Sequence, residues 1–167
     1  MMHSQDKETI LGIDPGTKIT GFGLIESTPG KNRALDFGSI SPPSSLSPAE
    51  KYLFIYRGVE ELIKAYTPTA VAVETQFVYK NVQSAMKLGM ARGVVLLISA
   101  MHKIPVFEYA PKKAKLAVVG NGSASKEQVQ KMIQLLLNLR SLPTPEDAAD
   151  ALALCICHAN TLSTRVK

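Results

Sequence analysis

Short apolar runs separated by turn residues predict three strands in the first forty residues. The runs Thr9–Ile13, Ile19–Ile25 and Arg33–Ile40 have the apolar and β-branched composition of partly buried strands. Asp14-Pro15-Gly16-Thr17 separates the first two runs, and Pro29-Gly30 precedes the third; both segments are typical of turns. The chain is therefore expected to begin with an antiparallel, three-stranded meander.

Helical and strand patterns alternate in the rest of the chain. Ser47-Pro48 is a typical helix start, because a serine cap precedes a proline, and the helix is expected to run to about Tyr66. Ala70–Val73 is apolar without polar alternation, which indicates a strand covered on both faces. The later segments are a helix over Val82–Met101, a strand over Ile104–Tyr109, and helices that begin at Pro111, after Ser125 and near Pro145. This order predicts an α/β protein with a five-stranded mixed sheet flanked by helices.

The size and composition of the chain are those of one globular domain. It has 167 residues, of which 46% are hydrophobic, enough for a core of its own. We expect a single domain over residues 1–167, with frayed ends at 1–8 and 160–167. Cys155 and Cys157 lie two apart on one predicted helix and point to different sides, which favours two core thiols.

No membrane or export segment is expected from the sequence. The longest apolar stretch, Val94–Met101, is far shorter than the roughly 18 residues of a spanning helix. The first residues carry charges of both signs and do not form an apolar signal core. We therefore expect no membrane partner and a cytoplasmic location.

Basic residues are concentrated in the middle of the chain. The net charge is +5, and the isoelectric point is near 9.2. Residues 77–140 contain ten lysines and arginines and two acidic residues, whereas the rest contains nine basic and twelve acidic residues. This distribution is typical of a protein that binds a phosphate backbone and keeps a few carboxylates for metal ions, although a solvated lysine-rich face would give the same counts.

Four acidic residues are candidates for a metal site. Asp14 and Glu74 directly follow apolar strands, at the carboxyl ends where open α/β sheets bind ligands. Asp147 and Asp150 are three residues apart, on one face of the first turn of the last predicted helix. If the four converge, two divalent cations would offset their repulsion and activate water for attack on a phosphodiester. Turn and cap roles also account for each aspartate, whereas Glu74 has less structural reason to end a buried strand.

Five motifs follow one another along the chain. They are Ile10-Leu11-Gly12-Ile13-Asp14-Pro15-Gly16, Val73-Glu74 with Phe77, Ala85-Met86-Lys87-Leu88-Gly89-Met90-Ala91-Arg92-Gly93, Gly120-Asn121-Gly122-Ser123-Ala124-Ser125-Lys126, and Asp147-Ala148-Ala149-Asp150-Ala151-Leu152-Ala153. Together they closely resemble the RuvC family of bacterial Holliday-junction resolvases, from about Ile10 to His158.

The resemblance implies a ribonuclease H-like fold and a homodimer. It implies a structure-specific endodeoxyribonuclease that resolves four-way DNA junctions by paired symmetric nicks, leaving 5′-phosphates and 3′-hydroxyls, in recombination and DNA repair. The implied mechanism is hydrolysis with two Mg²⁺ ions per active site, for which Mn²⁺ would substitute. The implied partners are the junction and the RuvA–RuvB branch-migration complex.

The resemblance also assigns catalytic roles. Asp14, Glu74, Asp147 and Asp150 would be the metal ligands, and Asp150 is the least fixed of them because some relatives have histidine there. Basic positions near the scissile phosphate are matched by Lys115 and Lys126, where an ammonium group would offset charge in the transition state.

Binding roles are assigned in the same way. Phe77 resembles the aromatic residue that the family places against unstacked bases, although it would also suit a core or dimer contact. The predicted DNA contacts are Phe77, Lys80, Lys112, Lys113, Lys115 and Lys126. Ala85, Gly89 and Gly93 form a small-residue stripe on the long helix that resembles the family's dimer interface.

Other functions stay open from the sequence. Asp14 and Gly16, followed by Gly21 and Gly23, also resemble the first phosphate loop of actin-like ATPases and sugar kinases, but those proteins bind ATP between two domains. A junction-binding protein without nuclease activity is disfavoured by the four acids. A related nuclease acting on RNA is disfavoured by the Phe77 segment and the long helix.

Overall fold

Five strands form one mixed sheet in the computed structural model, which describes residues 7–75 and 81–164. The strands are β1 (Glu8–Asp14), β2 (Thr20–Thr28), β3 (Lys31–Ile40), β4 (Ala70–Glu74) and β5 (Val106–Tyr109). Their order in the sheet is β3-β2-β1-β4-β5, so β1 is central. The first three strands are antiparallel, and β4 and β5 are added in parallel, as predicted.

The described residues form five helices, and two of them begin after the predicted capping serines. They are α1 (Pro48–Tyr66), α2 (Val82–Met101), α3 (Pro111–Val119), α4 (Lys126–Leu136) and α5 (Glu146–Thr164). At α1, the Ser47 hydroxyl accepts a hydrogen bond from the Glu50 N–H, and the Glu50 carboxylate accepts one from the Ser47 N–H. A matching capping box at Ser125 begins α4. α4 ends at Leu136, and Asn138, two residues later, has a left-handed φ of 51°.

The sheet separates two apolar cores. On one face, Leu11, Ile13 and Val73 belong to a core that includes residues of α1 and α2. On the other face, Ile10 and Ala72 pack with residues of α3, α4 and α5. Side chains alternate between the faces along a strand, so positions 10, 12 and 14 of β1 share the α5 face. Asp14 therefore ends β1 on the side that α5 covers.

α5 rests directly on the sheet because two paired strand positions lack side chains. Gly12 of β1 pairs with Gly23 of β2. A Cβ at Gly12 would collide with the backbone oxygen of Ala151 and would lie 2.7 Å from the Sγ of Cys155. The glycines thus let the helix backbone approach the strands, and residues 151–159 of α5 are all buried.

The two cysteines are buried free thiols of α5, as predicted. The Cys155 thiol donates to the carbonyl oxygen of Gly23, with an S···O distance of 3.3 Å. Burial raises the pKa of both thiols, and Lys113 partly opposes this for Cys157. Both cysteines therefore belong to the packing of α5 against the sheet.

The predicted frayed ends are partly wrong. Glu8 pairs with Ser27 and belongs to the sheet. α5 continues as a helix to Thr164, and near its end the Thr161 hydroxyl donates to the His158 carbonyl oxygen at 2.7 Å. Regular structure therefore extends beyond both expected boundaries. The assignment of residues 1–167 to a single domain stays a prediction.

α2 has one buried and one exposed apolar face. Ala91, Val95 and Ile98 are buried in the core. The opposite face carries the α2 stripe, a row of exposed apolar side chains consisting of Val82, Met86, Met90, Leu97 and Met101. In the single chain, about half or more of the surface of each of these side chains is exposed to solvent.

α2 also passes a test for membrane-spanning helices. Within the described residues, it is the one helix long and apolar enough, by length and composition, to cross a membrane. The charged residues Lys87 and Arg92 interrupt the apolar sequence of α2, so its longest unbroken apolar run is short. Core helices pass the same test, so the expected absence of a membrane partner stays a prediction.

Candidate active site

Asp14 and Glu74 lie at the same edge of the sheet. β1 and β4 are parallel, and Ile13 pairs with Val73. The next residue of each strand is acidic, so the two carboxyl groups end neighbouring strands at the same level. Both residues are partly buried.

The N-terminal part of α5 brings Asp147 and Asp150 to this edge. Gly21 of β2 pairs with Asp14 across the two strands. A Cβ at Gly21 would collide with the backbone oxygen of Asp147 and would lie 2.8 Å from its Cβ. Asp150 follows on the same helix and repels the charges of both Asp14 and Glu74. The four predicted acids therefore lie near one another, and the glycines under α5 are the reason.

Asp14 is strongly perturbed by this environment. Burial, followed by repulsion from Glu74, Asp150 and Asp147, raises its pKa from the ordinary 3.8 to about 8, against an opposing effect of Lys126. A carboxyl group whose pKa is raised this far by burial and by other carboxyl groups indicates a site that lacks positive charge.

Glu74 and Asp150 are shifted in the same direction. Burial, and then repulsion from Asp150, raises the pKa of Glu74 to about 6, while Lys115 lowers it. Burial also raises the pKa of Asp150, with Lys126 as the main opposing charge. Three of the four carboxyl groups are thus harder to ionise in the folded chain than in water.

The chemistry of this acidic edge fits divalent cations. Among the residues that the structure describes, no group of three or more His, Cys, Asp or Glu side chains is arranged closely enough to hold a metal ion. The raised pKa values nevertheless come partly from mutual repulsion, which a cation between the carboxylates would offset. Carboxylate oxygens are also the ligands that Mg²⁺ and Mn²⁺ prefer. The assignment of the four acids as metal ligands stays a prediction.

Two lysines border the acids. Lys115 of α3 lowers the pKa of Glu74 and Asp150, and Lys126, the first residue of α4, lowers the pKa of Asp14 and Asp150. The Nζ of Lys126 also donates to the Oε2 of Glu146 at 2.8 Å. This hydrogen bond is the main reason that the pKa of Lys126 is raised. The structure therefore brings both lysines near the carboxylates that they were expected to accompany.

The other predicted DNA contacts are described in part. Lys112 and Lys113 are exposed on α3, and the Nζ of Lys113 lies 5.3 Å from the ring centroid of Tyr109. Phe77 and Lys80 lie outside the described residues. DNA binding by these residues stays a prediction.

The predicted interface residues lie along the exposed side of α2. A Cβ added at Gly89 or Gly93 would meet nothing within 4 Å, and both glycines are exposed. Ala85, in the first turn of the same helix, is partly buried. The small residues thus leave room for another backbone beside the α2 stripe, and their interface role stays a prediction.

A basic groove near the acidic edge was missed from the sequence. It has a volume of about 530 Å³ and lies between the loop after β1, the start of α1, and α2. Lys18, Lys51 and Lys87 line it, and Tyr52, Met86 and Met90 supply apolar surface. Lys18 and Lys51 fall outside the basic segment 77–140, so the sequence carries no signal that groups them with Lys87. Glu146 was also missed, because it stands beside two more prominent aspartates.

Comparison with known proteins gives a consistent family match. The family model for Crossover junction endodeoxyribonuclease RuvC matches residues 10–158. A curated relative of that name from Protochlamydia amoebophila is 63% identical over 150 residues, covering 90% of this chain and 89% of the relative.

Solved structures agree with the sequence match. The chain superposes on Thermus thermophilus RuvC in complex with a Holliday junction substrate with a TM-score of 0.89 and 34% identity, over 95% of this chain and 96% of the other. The yeast mitochondrial Holliday junction resolvase Ydc2 has a TM-score of 0.64 at 12% identity, over 95% of this chain and 84% of that one, and shares the fold. The expected ribonuclease H-like fold is confirmed.

Proposed function

The chain belongs to the RuvC family, and on that premise we propose that it is a Holliday-junction resolvase, an endodeoxyribonuclease that nicks two strands of a four-way DNA junction. The relative from P. amoebophila bears the name of such an enzyme, and the T. thermophilus relative is seen with its junction substrate. The match covers nearly the whole chain, which supports the transfer of this activity rather than of the fold alone.

One observation carries the proposal most strongly. Asp14, Glu74, Asp147 and Asp150 come from three separate elements and lie near one sheet edge, where burial and repulsion within the group raise the pKa values of Asp14, Glu74 and Asp150. A turn or a helix cap needs one carboxyl group and gains nothing from three more nearby. A cluster that opposes its own ionisation has a functional rather than a structural explanation.

These four residues hold two Mg²⁺ ions in the proposed enzyme, and Mn²⁺ can replace them. When bound, the ions supply positive charge at the phosphate and an activated water for its hydrolysis. The chain's own contribution is to fix the carboxylates on β1, on β4 and near the N-terminus of α5, which rests on the sheet. Lys115 and Lys126 stand beside them and offset negative charge that develops on the phosphate.

Basic residues around the acidic edge bind the DNA backbone. Lys112 and Lys113 extend the positive surface along α3. We also expect Lys80 to contact the DNA backbone and Phe77 to stack on bases that unpair at the junction. Because phosphate contacts release counterions, binding by this surface weakens as salt concentration rises.

Two copies of the chain act together. Met86 and Met90 of the α2 stripe are 58% and 52% exposed, which is high for methionine side chains of a single folded chain. A second copy covers the stripe, and Ala85, Gly89 and Gly93 let the two α2 helices approach. The pair has one acidic edge for each cleaved strand, which suits the approximate two-fold symmetry of a junction.

The cellular setting follows from family membership. The enzyme acts in recombination and DNA repair in the cytoplasm, as a single nuclease domain over residues 1–167. It works with the RuvA–RuvB branch-migration complex, which moves the junction to sites that the nuclease prefers.

Cleavage of a labelled synthetic four-way junction, beside linear duplex of the same sequence, tests the activity. With Mg²⁺, symmetric nicks are expected in the junction and not in the duplex, and a chelator should prevent them. Replacing Mg²⁺ by Mn²⁺ or Ca²⁺ identifies the ion. Tight binding without cleavage across several junction sequences would instead support a binding protein, and equal action on duplex or RNA would contradict the proposed substrate.

A further inference from the structure

Lys126 is tied to an acid outside the four predicted metal ligands. Its Nζ lies 2.8 Å from the Oε2 of Glu146, and this bond joins the first residue of α4 to the first residue of α5. Lys126 also interacts with the charges of Asp14, Asp147 and Asp150. The lysine therefore lies between Glu146 on one side and the acidic edge on the other.

The two partners differ in how firmly they are held. The Lys126 side chain is 64% exposed and ends a flexible four-carbon stem, so it has many rotamers of similar energy. The backbone at Glu146 is fixed, because the next residue, Asp147, rests against Gly21 of the sheet. An exposed ion pair of this kind contributes little to stability. Its effect is instead to limit where the ammonium group of Lys126 can go.

We infer that Glu146 is a positioning residue, which holds the Lys126 ammonium group at the border of the acidic edge, ready to meet the scissile phosphate. Glu146 is needed because the acids cannot do this alone. When their charge is balanced by divalent cations, Asp14, Asp147 and Asp150 no longer attract the lysine, whereas the Oε2 of Glu146 still accepts its hydrogen bond. The inference rests on the proposed nuclease function.

Two single variants of Glu146 separate its effect on the position of Lys126 from the effect of its negative charge. Cleavage is measured at saturating junction and saturating Mg²⁺, so that kcat and KM are obtained apart. Glu146→Ala should lower kcat about threefold to tenfold, while KM stays level or falls because a negative charge near DNA is removed. Glu146→Gln should stay within about twofold of wild type, because its amide oxygen can still accept from Lys126.

The helix that carries Lys126, α4, also provides a matched control. Glu127 follows Lys126 in the sequence but pairs with Lys131, at 2.6 Å between Nζ and Oε1, and both side chains are similarly exposed. Glu127→Ala removes an acid and breaks an ion pair without touching Lys126. It should leave kcat within about twofold of wild type.

A double variant shows whether Glu146 acts through Lys126. Lys126→Ala with Glu146→Ala should cleave at the rate of Lys126→Ala alone, because a lysine that is absent needs no positioning. The inference is overturned if Glu146→Ala cleaves as fast as wild type, if it slows Lys126→Ala by the same factor as wild type, or if it acts by raising the Mg²⁺ requirement. A wild-type chain that cleaves no junction would contradict the proposed function instead.

Discussion

α5 and α2 are helices of nearly equal length that are used in opposite ways. α5 has 19 residues and α2 has 20, and both are rich in apolar side chains. Residues 151–159 of α5 are all buried between the sheet and the helices α3 and α4, whereas α2 exposes a whole stripe of large side chains. Glycines accompany both helices. The glycines beneath α5 belong to the strands, whereas the glycines of α2 belong to the helix itself and face outward.

The difference separates two tasks. The glycines of β1 and β2 let α5 rest on the sheet, which fixes the position of the two aspartates near its N-terminus relative to Asp14 and Glu74. α2 contributes less to the fold of one chain and leaves an apolar face exposed, which in the proposed dimer a second chain covers. Changes under α5 should therefore disturb chemistry and stability, and changes on the α2 stripe should disturb assembly.

Loss of one acid at the end of α5 should have the largest effect. Asp147→Asn is expected to lower cleavage of a four-way junction by on the order of 10³-fold or more, because one ligand of the proposed metal site is lost. Junction binding should stay equal or become tighter, since a negative charge is removed while the basic surface remains. Cleavage kinetics and a gel-shift titration of one preparation test both statements, and a variant that cleaves at the wild-type rate would remove Asp147 from the site.

A side chain added beneath α5 should have the next largest effect, a loss of stability. Gly12→Val places side-chain atoms where the backbone of Ala151 lies, and should lower the free energy of unfolding by about 3 kcal/mol or more. Gly93→Ala on α2 adds a Cβ that meets nothing within 4 Å, and should raise the stability of the chain by about 0.5–1 kcal/mol. Urea unfolding at low protein concentration measures both, and equal effects at the two glycines would contradict the contrast.

A charge on the α2 stripe should separate the dimer without unfolding the chain. Met90→Lys, at a residue that is 52% exposed, should weaken dimerisation by about tenfold or more, because an ammonium group would be buried between the helices. Leu135→Lys is the control, since Leu135 is 73% exposed on α4 and lies away from the stripe. Sedimentation equilibrium reports the dissociation constants, and an unchanged dimer in Met90→Lys would place the interface elsewhere.

The smallest expected effect is the pH dependence of the metal-free protein. Asp14 has a pKa near 8 in the fold and near 3.8 as an ordinary aspartate, so the folded chain binds its proton more tightly than the unfolded chain. Glu74 acts in the same direction with a folded pKa of about 6. Stability should therefore fall as pH rises from about 4 to about 8 in the presence of a chelator.

The matched variant isolates the share of Asp14. Asp14→Asn cannot ionise, so it should be more stable than wild type at pH 8 and close to it at pH 4. Thermal unfolding at the two pH values measures this difference. A wild-type chain that becomes more stable on going from pH 4 to pH 8, relative to Asp14→Asn, would contradict the repulsion assigned to the acidic edge.

Local signals in the sequence predicted most of the elements. Capping serines marked the starts of α1 and α4, with a proline after the serine at α1, and the apolar run before Glu74 marked β4. The four acids could be proposed because two end strands and two share a helical turn. Their assignment to a nuclease depended on the resemblance of five motifs, since turn and cap chemistry accounts for each aspartate singly.

Features that depend on distant contacts could not be predicted. Glycine in a strand does not reveal that Ala151 lies over Gly12, because the two are far apart in the chain. The basic groove combines Lys18, Lys51 and Lys87 from three elements, and the ion pair of Lys126 with Glu146 joins two helices. The exposure of the α2 stripe could not be predicted for the same reason. The sequence of an apolar helix is similar whether a sheet or a second chain covers its apolar face.

The most direct test of how the two regions cooperate is cleavage of a supercoiled plasmid that extrudes a cruciform. A single nick relaxes the plasmid and reabsorbs the cruciform, so linear product forms only if both strands are cut while one dimer stays bound. We expect the wild-type chain with Mg²⁺ to give mainly linear plasmid, because α2 pairs two acidic edges. Mainly nicked circles from the wild-type chain would contradict the account, since each acidic edge would then act alone.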